Sequence, residues 1–228
     1  MTTTGEALPT LRFRLPGDWW AVELHDRDAA VASAHRLVRH RIGPQDDRVR
    51  LRQRITRELT EAIDAAIRAG GQSMFIAVNI LDGVPMPISF AVYLPEVGMT
   101  PAIGTDPDRV LDILERGIEH VVHAEHADPG DPADRIRLDL PETRATRLHR
   151  VRVVDVGSGS DTGTIETLVV DYWVAVPRTK RVMLVSFSTS MAPLQEQLLQ
   201  FFDAIMRVTR WEHPEPQGAT ASEEHASV

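Results

Sequence analysis

Histidine spacing is the first feature of this chain that suggests chemistry. His120, His123 and His126 recur at intervals of three residues, and two imidazoles at i and i+3 on one helix can bind the same metal ion. The valines between them indicate that the histidines flank a buried stripe, and the Asp128-Pro dipeptide predicts that the helix ends before His126. The His-Glu-x-x-His motif is absent. We therefore expect a solvated helix end, where protonated histidine suits the helix dipole, and we predict no metal site.

A glycine-rich segment invites comparison with phosphate-binding turns. It contains Gly157, Gly159 and Gly163. A dinucleotide-binding loop needs a strand before it and a helix after it, so that amide N–H groups and the helix N-terminus face the pyrophosphate. Residues 165–176 have the apolar, β-branched composition of a strand instead. We predict a flexible hairpin loop over 157–163 and no cofactor.

Arginines cluster in one region of an otherwise acidic chain. They are Arg36, Arg39, Arg41, Arg48, Arg50, Arg52, Arg54 and Arg57. Clustered guanidinium groups can bind phosphate or an acidic partner. However, a formal charge of −8 and the absence of interleaved aromatic residues argue against nucleic acid. The spacing also predicts three i, i+4 ion pairs, Arg54–Glu58, Arg57–Glu61 and Asp64–Arg68. We predict a salt-bridged outer helix face, with an acidic protein partner as the alternative.

Asp171 is the carboxylate that most resembles an acid catalyst, because it lies inside a strongly apolar predicted strand. A buried, unpaired carboxylate is costly and has a raised pKa, as some catalytic acids do. If Val156 faces Ile165 in a hairpin, then Arg150 faces Asp171, and a cross-strand ion pair satisfies both charges. A register shift of two residues would change the facing pair. We favour the ion pair.

Linear signatures of catalysis are otherwise missing. The Gly-x-Ser-x-Gly, Ser-x-x-Lys and P-loop motifs are absent. We therefore predict no catalytic, cofactor-binding or metal-ligating residue and leave the binding residues open.

Four tryptophans stand out in a chain with 5% aromatic residues. Trp20 and Trp173 alternate with apolar neighbours and are predicted to lie in the core. Trp19 points away from Trp20 on a strand, so it marks either an interaction surface or rim packing. We favour packing.

Composition narrows the class of protein. The 228 residues include no cysteine, which excludes disulfides, thiolate metal sites and cysteine nucleophiles. The N-terminus lacks the pattern of a signal peptide, and no apolar run approaches the ~20 residues needed to span a bilayer. We expect a cytoplasmic protein that does not bind membranes. One lysine against many arginines, with one asparagine, indicates a GC-rich and actinobacterial source.

The elements that would position these residues alternate between helix and strand patterns. Residues 11–24 predict an opening β-hairpin, and helices are predicted over 28–42, 46–69, 107–124 (with Asp106 as N-cap) and 191–210. Further strands are predicted over 74–81, 88–94, 136–140, 148–156, 167–177 and 182–188. Short links between the last strands require antiparallel pairing. We predict an α+β fold, with a mainly antiparallel sheet covered by helices, in one domain over 10–211. Its helical segment spans 28–69, and disordered tails cover 1–9 and 212–228.

Both ends of this domain carry motifs of a known family. The opening Phe13-x-Leu-Pro-Gly-Asp-Trp-Trp segment precedes a strand Val182-Met-Leu-Val-Ser-Phe-Ser-Thr189 and a helix with Leu198-Leu-x-Phe-Phe-Asp-x-Ile205. This arrangement resembles the PsbP-like α/β/α sandwich, and more narrowly small actinobacterial proteins of uncharacterised function. The helical segment at 28–69 departs from the minimal fold. Because known PsbP-like proteins are mostly non-catalytic, the resemblance implies an accessory or binding role and assigns no active-site residue.

Two functional hypotheses follow. The first is a non-catalytic accessory, chaperone-like or immunity-type module that acts through a protein partner. The alternative is an enzyme or small-ligand binder whose pocket lies between the sheet and the helices, with Asp171 or His149 near it. Fold alone does not decide between them.

Overall fold

The computed structural model describes residues 8–43, 48–84, 86–97, 104–125, 135–158 and 161–214, with the backbone alone for 118–125, 155–158 and 161–162. In chain order the elements are β1 (Thr10–Arg12), β2 (Asp18–Glu23), α1 (Arg27–Ile42), α2 (Val49–Arg68), β3 (Gly71–Asn79), β4 (Ile88–Tyr93), α3 (Pro107–Glu125), β5 (Ile136–Leu140), β6 (Thr143–Ser158), β7 (Asp161–Ala175), β8 (Val182–Thr189), a 3₁₀ turn (Ala192–Leu194), α4 (Gln195–Val208) and β9 (Arg210–Glu212).

Seven of the strands form one antiparallel sheet in the order β2-β3-β4-β8-β7-β6-β5. The last of these strands along the chain, β8, lies near the centre and pairs with β4 on one side and β7 on the other. The predicted α+β fold with a helix-covered antiparallel sheet is therefore confirmed.

The two faces of the sheet have different covers. One face carries Met74, Ala91 and Trp173, and it packs against α1 and α2 at one end and α3 at the other. We call this the three-helix face. The opposite face carries Phe90 and Phe187, and α4 covers it with Phe202, whose ring stacks on that of Phe187 with centroids 4.4 Å apart. The rings are fully buried, so this α4 face forms the larger core.

Helix ends follow local signals. The side chain of Asp26 caps α1 by accepting a hydrogen bond from the backbone N–H of Ala29 at 3.0 Å. Gly43 ends the same helix with φ of 78°, a conformation that glycine adopts without steric cost. Asp106 caps α3 through the backbone N–H of Arg109 at 3.1 Å, as the sequence predicts.

The predicted opening hairpin is wrong. β1 pairs with β9 in a separate two-stranded ribbon, and β2 pairs with β3 in the main sheet. Alternating apolar residues identify two strands but do not identify their partners, and here each strand pairs with a more distant segment. The ribbon also extends the ordered chain to Glu212, beyond the predicted domain boundary at 211.

Several element bounds also differ. The predicted loop over 157–163 is too long, because β6 continues to Ser158 and β7 begins at Asp161. The predicted last helix is too long at both ends, since α4 spans Gln195–Val208 after a 3₁₀ turn. Residues 1–7 and 215–228 lie outside the described residues, so the two tails stay predictions.

Candidate functional site

A buried polar cluster lies under α4. Asp203 of α4 accepts a hydrogen bond from the Tyr172 hydroxyl and another from Arg147 Nη1, both at 2.7 Å. The side chains of Arg147 and Asp203 are 7% and 11% exposed. Burial, followed by the hydrogen bond to the Asp203 carboxylate, raises the pKa of Tyr172 well above its ordinary value. The cluster is a neutralised ion pair with a neutral phenol, which suits a structural role in attaching α4 to the sheet.

A second cluster surrounds Asp171 on the three-helix face. Arg150 Nη1 lies 2.6 Å from one carboxylate oxygen, and the Ser186 hydroxyl donates to the other at 2.5 Å. The predicted ion pair is therefore confirmed. Nearby, burial raises the pKa of Tyr93, and the charge of Asp171 adds to that shift.

The register of this hairpin differs from the assumed one by two residues. Val154, rather than Val156, faces Ile165, and Leu148 faces Asp171. Arg150 therefore reaches the carboxylate diagonally along the same face instead of from the directly opposite position. A long side chain can bridge such a diagonal, so the ion pair survives the shift.

The two residues singled out for the enzyme alternative do not share a site. His149 and Asp171 lie on opposite faces of the sheet, because Asp171 faces Leu148, the neighbour of His149 along β6. His149 is buried on the α4 face, where its Nε2 lies 3.1 Å from Gln195 Nε2. The sheet itself separates these two groups.

The arginine-rich helices α1 and α2 carry both local and interhelical ion pairs. The predicted Arg54–Glu58 and Arg57–Glu61 pairs are confirmed, each with a closest approach of 3.9 Å. Asp64 accepts two hydrogen bonds from Arg27 of α1, at 2.7 and 2.9 Å, and the predicted partner Arg68 acts on it only as a weaker neighbouring charge. This hydrogen bonding lowers the pKa of Asp64.

A cleft of about 550 Å³ opens between the paired helices and the sheet, and we call it the helix-pair cleft. Its walls come from α1, α2, β3 and the start of β4, and they are mainly apolar, with Leu37, Ile55, Leu59, Met74, Met86 and Ile88 among them. Arg41 is the charged residue of this lining. Neither Asp171 nor His149 lines the cleft.

The long hairpin of β6 and β7 projects beyond its neighbours. β5 pairs with β6 over residues 143–147, and β8 pairs with β7 over residues 168–175. No described strand pairs with the outer edges of residues 148–158 and 161–167, which we call the β6–β7 arm. The arm exposes Val151, Val153, Val154 and Ile165 at 44%, 66%, 44% and 39%. Apolar side chains and free edges therefore occur together on this arm.

Trp19, the tryptophan predicted to lie at a surface or rim, packs at the rim of the core. It is half-buried, packs against Phe90 with centroids 5.5 Å apart, and donates its indole N–H to the carbonyl of Pro16, which confirms rim packing. His120 and His123 lie on α3, but their side chains are outside the described residues, as is the whole of His126. The prediction that these histidines bind no metal thus stays a prediction. Elsewhere in the described chain, no three potential ligands of histidine or carboxylate type converge.

Comparison with known proteins identifies no relative of this chain. No family model, no curated protein and no solved structure matches the chain. The resemblance to PsbP-like proteins and the actinobacterial source stay predictions. None of the helices in the described ranges is long and apolar enough to cross a membrane.

Sequence reasoning missed the Asp203 cluster and the arm, whereas its alternative hypothesis placed a pocket between the sheet and the helices without naming the residues that line the cleft. Asp203 follows two phenylalanines on the buried side of α4, and that position was the available signal for a buried carboxylate needing a partner. The arm had a signal too, since both 151–156 and 164–170 are rich in β-branched residues. The cleft arises from how α1 and α2 stand against the sheet, which no linear pattern encodes.

Proposed function

We propose that this chain is a non-catalytic accessory module of the cytoplasm, of chaperone-like or immunity type, that acts by binding a protein partner through the β6–β7 arm. The observation that carries the proposal is the coincidence of exposed Val151, Val153, Val154 and Ile165 with two free strand edges. A strand edge presents unpaired N–H and C=O groups, and a partner segment can add to it as a further strand.

The side chains of the arm favour one kind of partner segment. Residues facing each other across the arm share a face, so Val154 and Ile165 form one apolar pair on the three-helix face. Arg152 lies next along that face and forms no ion pair with any described residue. An extended segment with β-branched residues and a carboxylate would complement this pattern.

The internal polar clusters support a binding role over a catalytic one. Asp171 and Asp203, the buried carboxylates, are each held by an arginine and a hydroxyl group. The pairing explains both carboxylates as parts of buried structural ion pairs. The residues named for the enzyme alternative lie on opposite faces and do not converge on a reacting atom.

Affinity capture from an extract of the native host tests the proposal. The test variant is Val151→Lys/Val153→Lys, because lysines on an edge strand oppose strand addition. The matched control is Val208→Lys, a valine on α4 with 42% exposure. Both should fold normally, as circular dichroism and thermal unfolding would verify. We expect the wild type and the control to retain the same partner, and the arm variant to lose it at least tenfold.

The same variants distinguish a foreign partner from a second copy of the chain. If the partner is a second copy, light scattering should show a dimer for the purified wild type and a monomer for the arm variant. Equal capture of one specific protein by the wild type and the arm variant, or no specific capture together with a monomer, would refute the proposal.

A further inference from the structure

The apolar stripe of α2, which lines the helix-pair cleft, is only partly buried. Sequence periodicity places Leu51, Ile55, Leu59 and Ala62 on one stripe of α2 with Ile63 and Ala66. Only Ile63 and Ala66 are buried, whereas Ile55 and Leu59 are half-buried and Ala62 is exposed. The N-terminal part of the stripe therefore faces an open space between α2 and the sheet.

The floor and far wall of that space are equally apolar. β3 contributes Met74 and Ile76, and Met86 and Ile88 line the space as well while packing against the core on the α4 face. A volume of about 550 Å³ lies within the range of small-molecule pockets in proteins. Methionine side chains adapt their shape, so two of them in one cleft suit a flexible ligand.

Arg41 gives this cleft its charge. Its Nη1 donates to the backbone carbonyl of Val78, and to that of Ala77 at 3.4 Å, which holds the guanidinium at the β3 side of the cleft. Within the described ranges, no carboxylate forms an ion pair with Arg41, and backbone carbonyls orient its guanidinium group. Its remaining N–H donors can bind an anion at the edge of an apolar chamber.

We propose that the helix-pair cleft binds a long-chain carboxylate, with its hydrocarbon chain between α2 and the sheet and its carboxylate on Arg41. Charge complementarity selects an anionic head group over a neutral or cationic one, and the apolar walls select a long chain over a short one. This binding is separate from the partner surface on the β6–β7 arm, and either proposal can fail without the other.

Displacement of a fluorescent fatty acid tests the proposal on the full chain. cis-Parinaric acid is the probe, and palmitate, 1-hexadecanol and hexadecyltrimethylammonium are the competitors of equal chain length. We expect palmitate to displace the probe best and the cation to displace it least. Shortening the acid should weaken binding by up to about fourfold per methylene, the value expected for burying each such group.

Two pairs of variants assign the roles within the cleft. Arg41→Gln should weaken palmitate at least about tenfold, as expected for losing a hydrogen bond between charged groups, and should leave 1-hexadecanol unchanged. Its control, Arg36→Gln, changes an exposed arginine of α1 outside the cleft and should bind as the wild type does. Ala62→Phe fills the cleft from an exposed helix position and should abolish probe binding. Ala65→Phe, an exposed site outside the lining, should not.

Several outcomes would overturn the inference. The absence of probe binding, or displacement by the cation as strong as by palmitate, would exclude a carboxylate site. Equal palmitate affinity of Arg41→Gln and the wild type would remove the assigned counter-ion. Undiminished binding by Ala62→Phe would place the probe elsewhere. Normal palmitate binding is expected of the arm variant Val151→Lys/Val153→Lys, so this experiment is independent of the partner proposal.

Discussion

Replacing Arg147 with methionine should destabilise the protein strongly. Arg147 neutralises Asp203 at 2.7 Å, and the two side chains are 7% and 11% exposed. Methionine fills much of the same volume but leaves the buried Asp203 carboxylate with the Tyr172 hydroxyl as its close donor and with Arg207 Nη2, 4.0 Å away and on a more exposed side chain, as its remaining cation. Breaking a buried pair by removing one partner costs about 3–5 kcal/mol. For a chain of this length that corresponds to a fall in Tm of roughly 6–20 °C.

Guanidinium chloride unfolding followed by tryptophan fluorescence measures this change. The control is Arg12→Met, which breaks an ion pair with Glu212 whose side chains are 73% and 54% exposed. An exposed pair contributes about 0–1 kcal/mol, so the control should unfold close to the wild type. The two variants remove the same chemical group and differ mainly in burial.

A rescue variant separates the lost charge pair from general disruption. Arg147→Met/Tyr172→Phe/Asp203→Leu replaces the whole cluster with apolar side chains and should recover most of the lost stability, because no buried polar group is then left unpaired. The reasoning is refuted if Arg147→Met costs less than about 1 kcal/mol, a value typical of exposed pairs. It is also refuted if the rescue variant is no more stable than the single variant.

Two further predictions concern the titration of tyrosine and the second cluster. Both tyrosines, Tyr93 and Tyr172, have raised pKa values in the fold, so phenolate absorbance should stay low above about pH 10 until the protein unfolds. As the pH rises, the unfolded chain loses its tyrosine protons before the folded chain does. The free energy of unfolding should therefore not depend on the tyrosines below about pH 10, and above that pH it should fall by up to about 1.4 kcal/mol per pH unit for each tyrosine. A tyrosine titration near pH 10 in the native state would contradict this. Arg150→Met should cost about 1–3 kcal/mol in denaturant unfolding, less than Arg147→Met, because Arg150 is 27% exposed and Asp171 keeps the Ser186 hydroxyl; an equal or larger cost would contradict the ranking by exposure.

The helices and the central strands were predictable because their signals are local. The apolar stripe of α2, the Asp106 position before α3, and the continuous apolar run of β8 each indicate one element without reference to the rest of the chain. These signals also indicate the fold class, because amphipathic helices and apolar strands in one chain can bury their apolar sides against each other.

Pairing and packing were harder to predict because they depend on distant residues. Leu11 alternates like a strand residue in a hairpin, yet its neighbour across the ribbon is Trp211. Arg150 and Asp171 form their pair in a register shifted by two, because β6 and β7 stay paired as far as Ser158 and Asp161. Asp203 pairs with Arg147, which lies 56 positions away in the sequence. In each case the tertiary structure determines which residue is the partner.

The position of β8 in the sheet has a consequence for synthesis of the chain. The partner of β4 on one side, β3, precedes it in the chain and is already made. The partner on its other side, β8, is made much later, because it begins only at Val182. During the intervening elongation the edge at Ile88–Tyr93 lacks its partner strand, and Phe90 lacks the ring of Phe187, although Phe13, Trp19 and Phe75 are already made. The native sheet can close only when β8 enters between two halves that were made before it, and an unpaired strand edge of this kind makes a partly synthesised chain prone to aggregation.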